Sequence, residues 1–93
     1  MNIAFTWSES KRASNLKTHE LDFLEAELVF KGLTFTVRDS RFAYPEIRFM
    51  TLGLLHGLNI TIVHTESDYE IRIISFRKST QKESEDYFNE IQI

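Results

Sequence analysis

The hydrophobic period of this chain changes at Gly32, and that change limits which folds it can adopt. Before Gly32, apolar residues recur at roughly every third or fourth position, as on a helix that buries one face. After Gly32, polar and apolar residues alternate, as on half-buried strands. The pattern predicts an α+β fold in which helices pack on one face of a sheet.

The N-terminal third carries the start signals of two helices. Ser8 is placed to cap a helix over residues 9–19, after an alternating aromatic segment at residues 3–7 that is predicted to be a strand or an extended arm. Asp22 and Glu25 match a capping box, in which each side chain bonds to the other residue's backbone amide. A second N-terminal helix is therefore predicted to follow Asp22.

The rest of the chain is predicted to form a four-stranded antiparallel sheet and a C-terminal helix. The alternating segments are residues 34–39, 47–54, 58–65 and 69–76. Turn pairs at 56–57 and 67–68 make the last three strands an antiparallel meander. A capping box of Thr80 and Glu83 opens the last helix. Residues 1–93 are predicted to be a single domain.

Composition excludes several classes of site. The chain has no cysteine, so a cysteine nucleophile, a cysteine-bound metal and a disulfide are all excluded. Its three histidines lack metal-ligand spacing on any one element, and we expect no metal and no cofactor. No apolar run approaches the roughly 18 residues of a membrane span, and the first residues do not resemble a secretory leader. We expect a cytoplasmic protein without membrane contact.

Charge is distributed unevenly along the chain. The formal net charge of −3 argues against indiscriminate binding of nucleic acid. Basic residues nevertheless form two groups. They are Lys11, Arg12 and Lys17 near the N-terminus, and Arg72, Arg77, Lys78 and Lys82 near the C-terminus. A focused positive surface on an acidic protein is therefore predicted.

Two arginines interrupt the apolar strand at residues 71–78. A guanidinium group stays charged and presents a planar fork suited to carboxylate or phosphate, so each arginine indicates either an anion site or a structural ion pair. Strict alternation puts Arg72 and Arg77 on opposite faces of the sheet unless a bulge intervenes. Glu46 and Glu83 are the candidate ion-pair partners.

A set of residues and motifs in chain order resembles one known family. The set is Phe5-x-Trp7, Lys11, Asn15, His19, Phe23-x-x-Ala26-x-x-Val29-Phe30, Asp39, Glu46-x-Arg48, Leu52-Gly53, Arg72-Ile73-Ile74-Ser75-x-Arg77 and Glu83-x-x-x-Tyr87. Together these residues resemble the BrnT family of toxins. The resemblance implies a RelE-like ribonuclease of a type II toxin-antitoxin system, which cleaves RNA and stops translation. It also implies a BrnA-like ribbon-helix-helix antitoxin, a heterotetramer with it, and operator binding through that antitoxin.

The chain departs from the usual family residues at five positions. The family usually has Asp, Lys, Gly, Ala and Arg where this chain has Ser8, Thr18, Glu20, Phe76 and Ser84. Two basic residues are thereby lost, which matches the negative net charge. An alternative function is therefore a weak or inactive toxin-like protein that serves only as an antitoxin-binding module.

Metal-free RNA cleavage requires proton transfer at the 2′-hydroxyl and at the leaving oxygen, and positive charge around the phosphorane. The catalytic candidates are Arg77, Arg72, His19, Glu46 and Arg48, with Glu83 and Tyr87 as further candidates. Lys11, Lys17, Lys78 and Lys82 are predicted to bind RNA phosphates.

Each catalytic candidate has a structural alternative. Arg77 can pair with a carboxylate, His19 can stabilise a helix C-terminus, and Tyr87 can be a core aromatic. His56 is predicted to be an exposed turn residue and His64 a core or edge residue.

Overall fold

A mixed five-stranded sheet forms the centre of the protein in a computed structural model, which describes residues 3–91. Three α-helices accompany it in that range. The elements are β1 (Ala4–Thr6), α1 (Glu9–His19), a 3-10 turn (Phe23–Glu25), α2 (Ala26–Phe30), β2 (Phe35–Arg38), β3 (Phe49–Leu55), β4 (Leu58–Glu66), β5 (Glu70–Lys78) and α3 (Gln81–Glu90). The strand order is β1-β5-β4-β3-β2. The α+β class is confirmed, and its RelE-like character stays a prediction.

The prediction of four antiparallel strands is wrong by one strand. Strands β2 to β5 pair antiparallel as expected, but β1 adds to β5 in parallel, with Phe5 opposite Ile71. The amide of Ala4 donates to the carbonyl of Tyr69 at 2.9 Å. Of the two predicted alternatives for residues 3–7, a strand is therefore correct. Three residues are too few to reveal their partner by alternation, so its parallel pairing with β5 was not predicted.

The second helix begins differently from its prediction. Asp22 accepts from the amide of Leu24 at 3.0 Å rather than from that of Glu25, and a 3-10 turn precedes the five-residue α2. The carboxylate of Asp22 also accepts two hydrogen bonds from Arg12 of α1, at 2.7 and 3.0 Å. The predicted capping box at Asp22 is therefore wrong, because this carboxylate joins two helices.

Helices cover both faces of the sheet, which corrects the predicted one-sided packing. One face packs against α1, the 3-10 turn and α2. Its core consists of Leu21, Phe23, Ala26, Val29, Leu55, Ile60, Ile62, Ile73 and Phe76. Thr61 lies between two of these core residues and points the other way, where Glu83 of α3 accepts its hydroxyl at 3.0 Å. The sequence of α3 predicts a buried side but does not determine which sheet face it covers.

A bulge at Ile74 reverses the alternation of β5. Val63 pairs with Ser75 and His64 with Ile73, so Ile74 has no residue opposite it. Ile73 and Phe76 both enter the core although they are three positions apart. As a result Arg72 and Arg77 lie on one face of the sheet, the face that carries α3, and not on opposite faces.

Beyond β1, helix α1 closes the edge of β5. The side-chain amide of Asn15 donates to the carbonyl of Phe76 at 2.8 Å, and its oxygen accepts the amide of Phe76 at 3.1 Å. The same amide donates to the carbonyl of Leu21 at 2.9 Å. These bonds satisfy backbone groups that a further strand would otherwise pair, and they fix the C-terminal end of α1 beside β5.

A methyl group at Gly53 should destabilise the fold, because α2 crosses β3 closely there. A Cβ at this position would lie 2.6 Å from Cγ1 of Val29, a buried residue with little freedom to move. We expect Gly53→Ala to lower the free energy of unfolding by about 1–3 kcal/mol, measured by urea denaturation. Gly32→Ala is the matched control, since its Cβ would approach only the Val29 carbonyl oxygen at 3.7 Å. Equal stability of the two variants would contradict this packing.

Candidate functional site

A basic cavity of about 550 Å³ opens where the end of α1 meets the end of β5. Its lining residues are Thr18, His19, Glu20, Arg41, Arg77, Lys78 and Thr80. A second depression shares Thr18 and His19 and adds Lys11, Ser14, Asn15, Ile74 and Ser75. We call these two adjoining depressions the α1–β5 groove. Three of the basic residues predicted to form a positive surface line it, namely Lys11, Arg77 and Lys78.

Local structure explains how His19 reaches the α1–β5 groove. His19 is the last residue of α1, and Glu20 ends the helix with a left-handed backbone (φ 59°) as its amide donates to the carbonyl of Leu16. That conformation favours glycine, and a non-glycine residue in it costs about 1 kcal/mol. The turn at Glu20 leaves the half-buried His19 at the end of α1, in the lining of the groove.

Arg77 forms an ion pair with Glu83 at the wall of the groove. Nη1 and Nη2 of Arg77 donate to the two carboxylate oxygens at 2.8 and 3.0 Å, and the side chains are only 19% and 15% exposed. Glu83 also accepts the amide of Thr80, which completes the predicted capping box, and the hydroxyl of Thr61. The pair therefore joins β5, β4 and the start of α3.

The pKa of Glu83 reflects these competing influences. Burial favours the neutral acid and is the largest single influence, but hydrogen bonds from Arg77, Thr80 and Thr61 together outweigh it and lower the pKa to about 2. Glu83 is ionised at neutral pH, so it can position Arg77 but is poorly suited to proton transfer.

The predicted site residues separate into two clusters. The α1–β5 groove brings together His19, Arg77, Lys78 and Lys11. Glu46 and Arg48 instead pair with each other at 2.8 Å just before β3, outside the lining of the groove. Arg72 belongs to this second cluster, since the pKa of Glu46 is lowered chiefly by Arg48 and also by Arg72.

Three other candidates lie outside the groove lining. Lys17 contributes no lining atom, and Lys82 forms an exposed pair with Asp86 at 3.0 Å. Tyr87 is buried and its hydroxyl donates to the carbonyl of Leu33 at 2.8 Å, in agreement with the core alternative. His64 is buried as expected, and burial lowers its pKa to about 4.

Arg41 was not among the residues predicted from the sequence, but it reaches the groove from the loop after β2. Its Nε and Nη2 donate to the carboxylate of Asp39 at 2.8 and 2.9 Å. The Asp39 side chain is fully buried, and hydrogen bonding from Arg41 keeps the pKa of Asp39 below its usual range despite that burial. The sequence did contain a signal for this pair, because Arg41 follows Asp39, one of the motif residues, by two positions.

Residues 3–91 were searched for clusters of metal ligands and for membrane-spanning helices. No three histidine or carboxylate side chains in that range are arranged to share a metal ion. None of the described helices is long and apolar enough to cross a membrane.

Comparison with known proteins identifies the family. A family model described as the ribonuclease toxin, BrnT, of type II toxin-antitoxin systems matches residues 7–83. The chain belongs to the BrnT family. The crystal structure of the Brucella abortus ribonuclease toxin, BrnT, is similar, with a TM-score of 0.63 and 24% identity over 86% of this chain and all of that chain. An identity of 24% supports similarity of the fold alone. Comparison with curated proteins gives no significant match.

Membership of the BrnT family confirms the resemblance found in the sequence. The family is one of ribonuclease toxins in type II toxin-antitoxin systems, in which an antitoxin and an RNA target are expected. The match ends at Glu83, the residue that pairs with Arg77, so both partners of this ion pair lie within the BrnT region.

The Arg77–Glu83 pair predicts a defined acid sensitivity. The folded-state pKa of Glu83 lies below its ordinary value of 4.5, so its stabilising effect is complete above about pH 5 and disappears as the pH falls towards 2. We expect Glu83→Gln to lower the free energy of unfolding by about 2–3 kcal/mol at pH 7, because Arg77 loses its charged partner. Urea denaturation at pH 7, 5 and 3 measures this difference.

Asp86→Asn is the matched control for this prediction. Asp86 lies on the same helix and pairs with Lys82, but it is 45% exposed. Its substitution should change stability by less than about 1 kcal/mol. A Glu83→Gln penalty that stays constant from pH 7 to pH 3 would contradict the assigned role of the ion pair.

Proposed function

We propose that this chain is an active endoribonuclease toxin that cleaves RNA without a metal ion. The observation that carries the proposal is the α1–β5 groove, where one histidine lies among Arg41, Arg77, Lys78 and Lys11. A histidine titrates near physiological pH, and arginine and lysine can hold phosphate oxygens. The groove therefore unites the two chemical requirements of metal-free cleavage.

The proposed reaction begins when the RNA 2′-oxygen attacks the neighbouring phosphorus. The 2′-oxygen loses its proton as the new P–O bond forms, and the bond to the 5′-oxygen breaks as that oxygen gains a proton. We assign one of these proton transfers to His19, and solvent water exchanges the other proton. Arg77, Lys78 and Lys11 would stabilise the negative charge that builds on the phosphorane. Glu83 would hold Arg77 in place.

The second cluster would have a supporting role in this proposal. Glu46 would act as the partner of Arg48 instead of the general base, since the ion pair lowers the pKa of Glu46 and makes its carboxylate a weaker base. Arg72 and Arg48 would contact the RNA backbone away from the cleaved bond. Lys17 and Lys82 would add weaker electrostatic attraction from outside the groove.

The biological setting follows from the family as a further part of the proposal. Residues 1–93 would act as one cytoplasmic domain whose activity inhibits translation. A BrnA-like ribbon-helix-helix antitoxin would neutralise it in a heterotetramer and bind operator DNA. Membership of a type II toxin family supports an antitoxin partner in general.

A second function is favoured by one observation in the groove. Thr18 lines both depressions at a position where BrnT toxins usually have lysine, so this copy has one fewer positive charge beside His19. That loss favours a toxin-like protein that binds its antitoxin without cleaving RNA. Activity of the purified protein separates the two functions.

His19→Asn should reduce RNA cleavage by about 10²-fold or more, because a proton-transfer group is lost. The assay is cleavage of a labelled RNA by purified protein in the presence of EDTA. His56→Asn is the matched control, since His56 is exposed in a turn with a positive φ that asparagine tolerates. The control variant should retain full activity.

Three outcomes would contradict parts of this proposal. Intact RNA after incubation with folded wild-type protein would favour the antitoxin-binding alternative. Equal activity of the His19→Asn variant and the wild type would remove His19 from the mechanism. Loss of cleavage only in EDTA would contradict metal independence.

A further inference from the structure

We propose that Arg41 is the principal phosphate-binding arginine of the α1–β5 groove and that Asp39 positions it. This inference rests on the proposed ribonuclease function and assigns its substrate contact. Direct phosphate binding, which the sequence predicted for Arg77, is thereby assigned to a residue of the loop after β2.

The loop after β2 is anchored where Arg41 departs from the sheet. The amide of Asp39 donates to the carbonyl of Arg48 at 2.8 Å, which extends the pairing of β2 with β3 by one residue. The buried Asp39 carboxylate then accepts the Arg41 amide at 3.3 Å as well as its guanidinium. The Asp39 carboxylate therefore holds both the backbone amide and the guanidinium group of Arg41.

The edges of the Arg41 guanidinium are used unequally. Asp39 takes the side edge, formed by Nε and one N–H of Nη2. The end edge, formed by Nη1 and the other N–H of Nη2, bonds to no group within residues 3–91. The Arg41 side chain remains 46% exposed and lines the cavity. Two N–H groups at the spacing of two phosphate oxygens are therefore available to a ligand.

Arg77 presents the opposite arrangement. Glu83 occupies its end edge with both Nη1 and Nη2, and Nη1 also donates to the carbonyl of Lys78. The pair with Glu83 leaves only the side edge of Arg77, formed by Nε and the other N–H of Nη2, for a two-pronged phosphate contact. The Arg77 side chain is 19% exposed, against 46% for Arg41, so this edge is less accessible to a ligand. Arg77 contributes charge to the groove, whereas Arg41 is set up for direct phosphate binding.

The buried carboxylate of Asp39 prepares Arg41 for this contact. Its hydrogen bonds raise the pKa of Arg41, and the nearby Glu83 carboxylate adds to that effect. An arginine already fixed on one edge loses less conformational freedom when it binds phosphate on the other. Asp39 is in this sense a positioning residue, since it acts on RNA through Arg41.

Salt dependence of RNA binding tests the role of Arg41. A fluorescent 2′-O-methyl RNA, which lacks the attacking hydroxyl, is titrated with protein at several salt concentrations. Arg41→Gln should weaken binding about 10-fold or more and lower the slope of log K against log salt by about 0.7, the loss of one phosphate contact on a single strand. Arg41→Lys should keep most of the slope but recover only part of the affinity.

Arg38→Gln is the matched control, because it removes the same charge from an exposed residue outside the α1–β5 groove. Asp39→Asn should weaken binding in the wild type but have little further effect in Arg41→Gln, since both changes remove one contact. Circular dichroism first confirms that each variant is folded.

The outcomes separate the inference from the proposed function. A wild-type protein that binds and cleaves RNA, with Arg41→Gln indistinguishable from Arg38→Gln in affinity and slope, would overturn the role of Arg41 alone. A fully additive effect of Asp39→Asn would overturn the positioning role of Asp39. A folded wild-type protein that neither binds nor cleaves RNA would overturn the proposed function, and with it this inference.

Discussion

The hydrogen bonds between Asn15 and Phe76 determine how the rest of the site is assembled. They bind the edge of β5 at its amide and carbonyl groups, which a neighbouring strand would otherwise pair. A buried side-chain amide that satisfies two backbone groups and the carbonyl of Leu21 is costly to replace, because each lost partner leaves an unpaired polar group. This contact fixes α1 against β5, and His19 reaches the groove only because α1 lies there.

The bulge at Ile74 is the second constraint, because it puts Arg72 and Arg77 on the same face of the sheet. With regular alternation, either Arg72 or Arg77 would face the apolar core, where an unpaired guanidinium is strongly unfavourable. One extra residue keeps Ile73 and Phe76 in the core and puts both arginines on the opposite face. Glu83 then binds Arg77 and orders the start of α3, so an ion pair also defines the wall of the groove.

The sequence predicted features that depend on local chemistry and missed those that depend on distant partners. The capping box at Thr80 is confirmed, yet the same signature at Asp22 is wrong because Arg12 competes for that carboxylate. The bulge has no local signal, since Ile74 suits a regular strand equally well. Arg41 is far from α1 in sequence and joins it only through the folded loop. The sequence could therefore suggest His19 and Arg77 as site residues, but it could not predict that they line the same groove.

The chemistry of the RNA ends left by the purified protein distinguishes the proposed reaction from hydrolysis by a metal-bound water. If the α1–β5 groove promotes attack by the RNA's own 2′-hydroxyl, we expect 5′-hydroxyl ends and 2′,3′-cyclic phosphates in the presence of EDTA. We also expect no cleavage where the substrate carries a 2′-deoxy nucleotide before the broken bond. Products with 5′-phosphate and 3′-hydroxyl ends would contradict the proposed reaction.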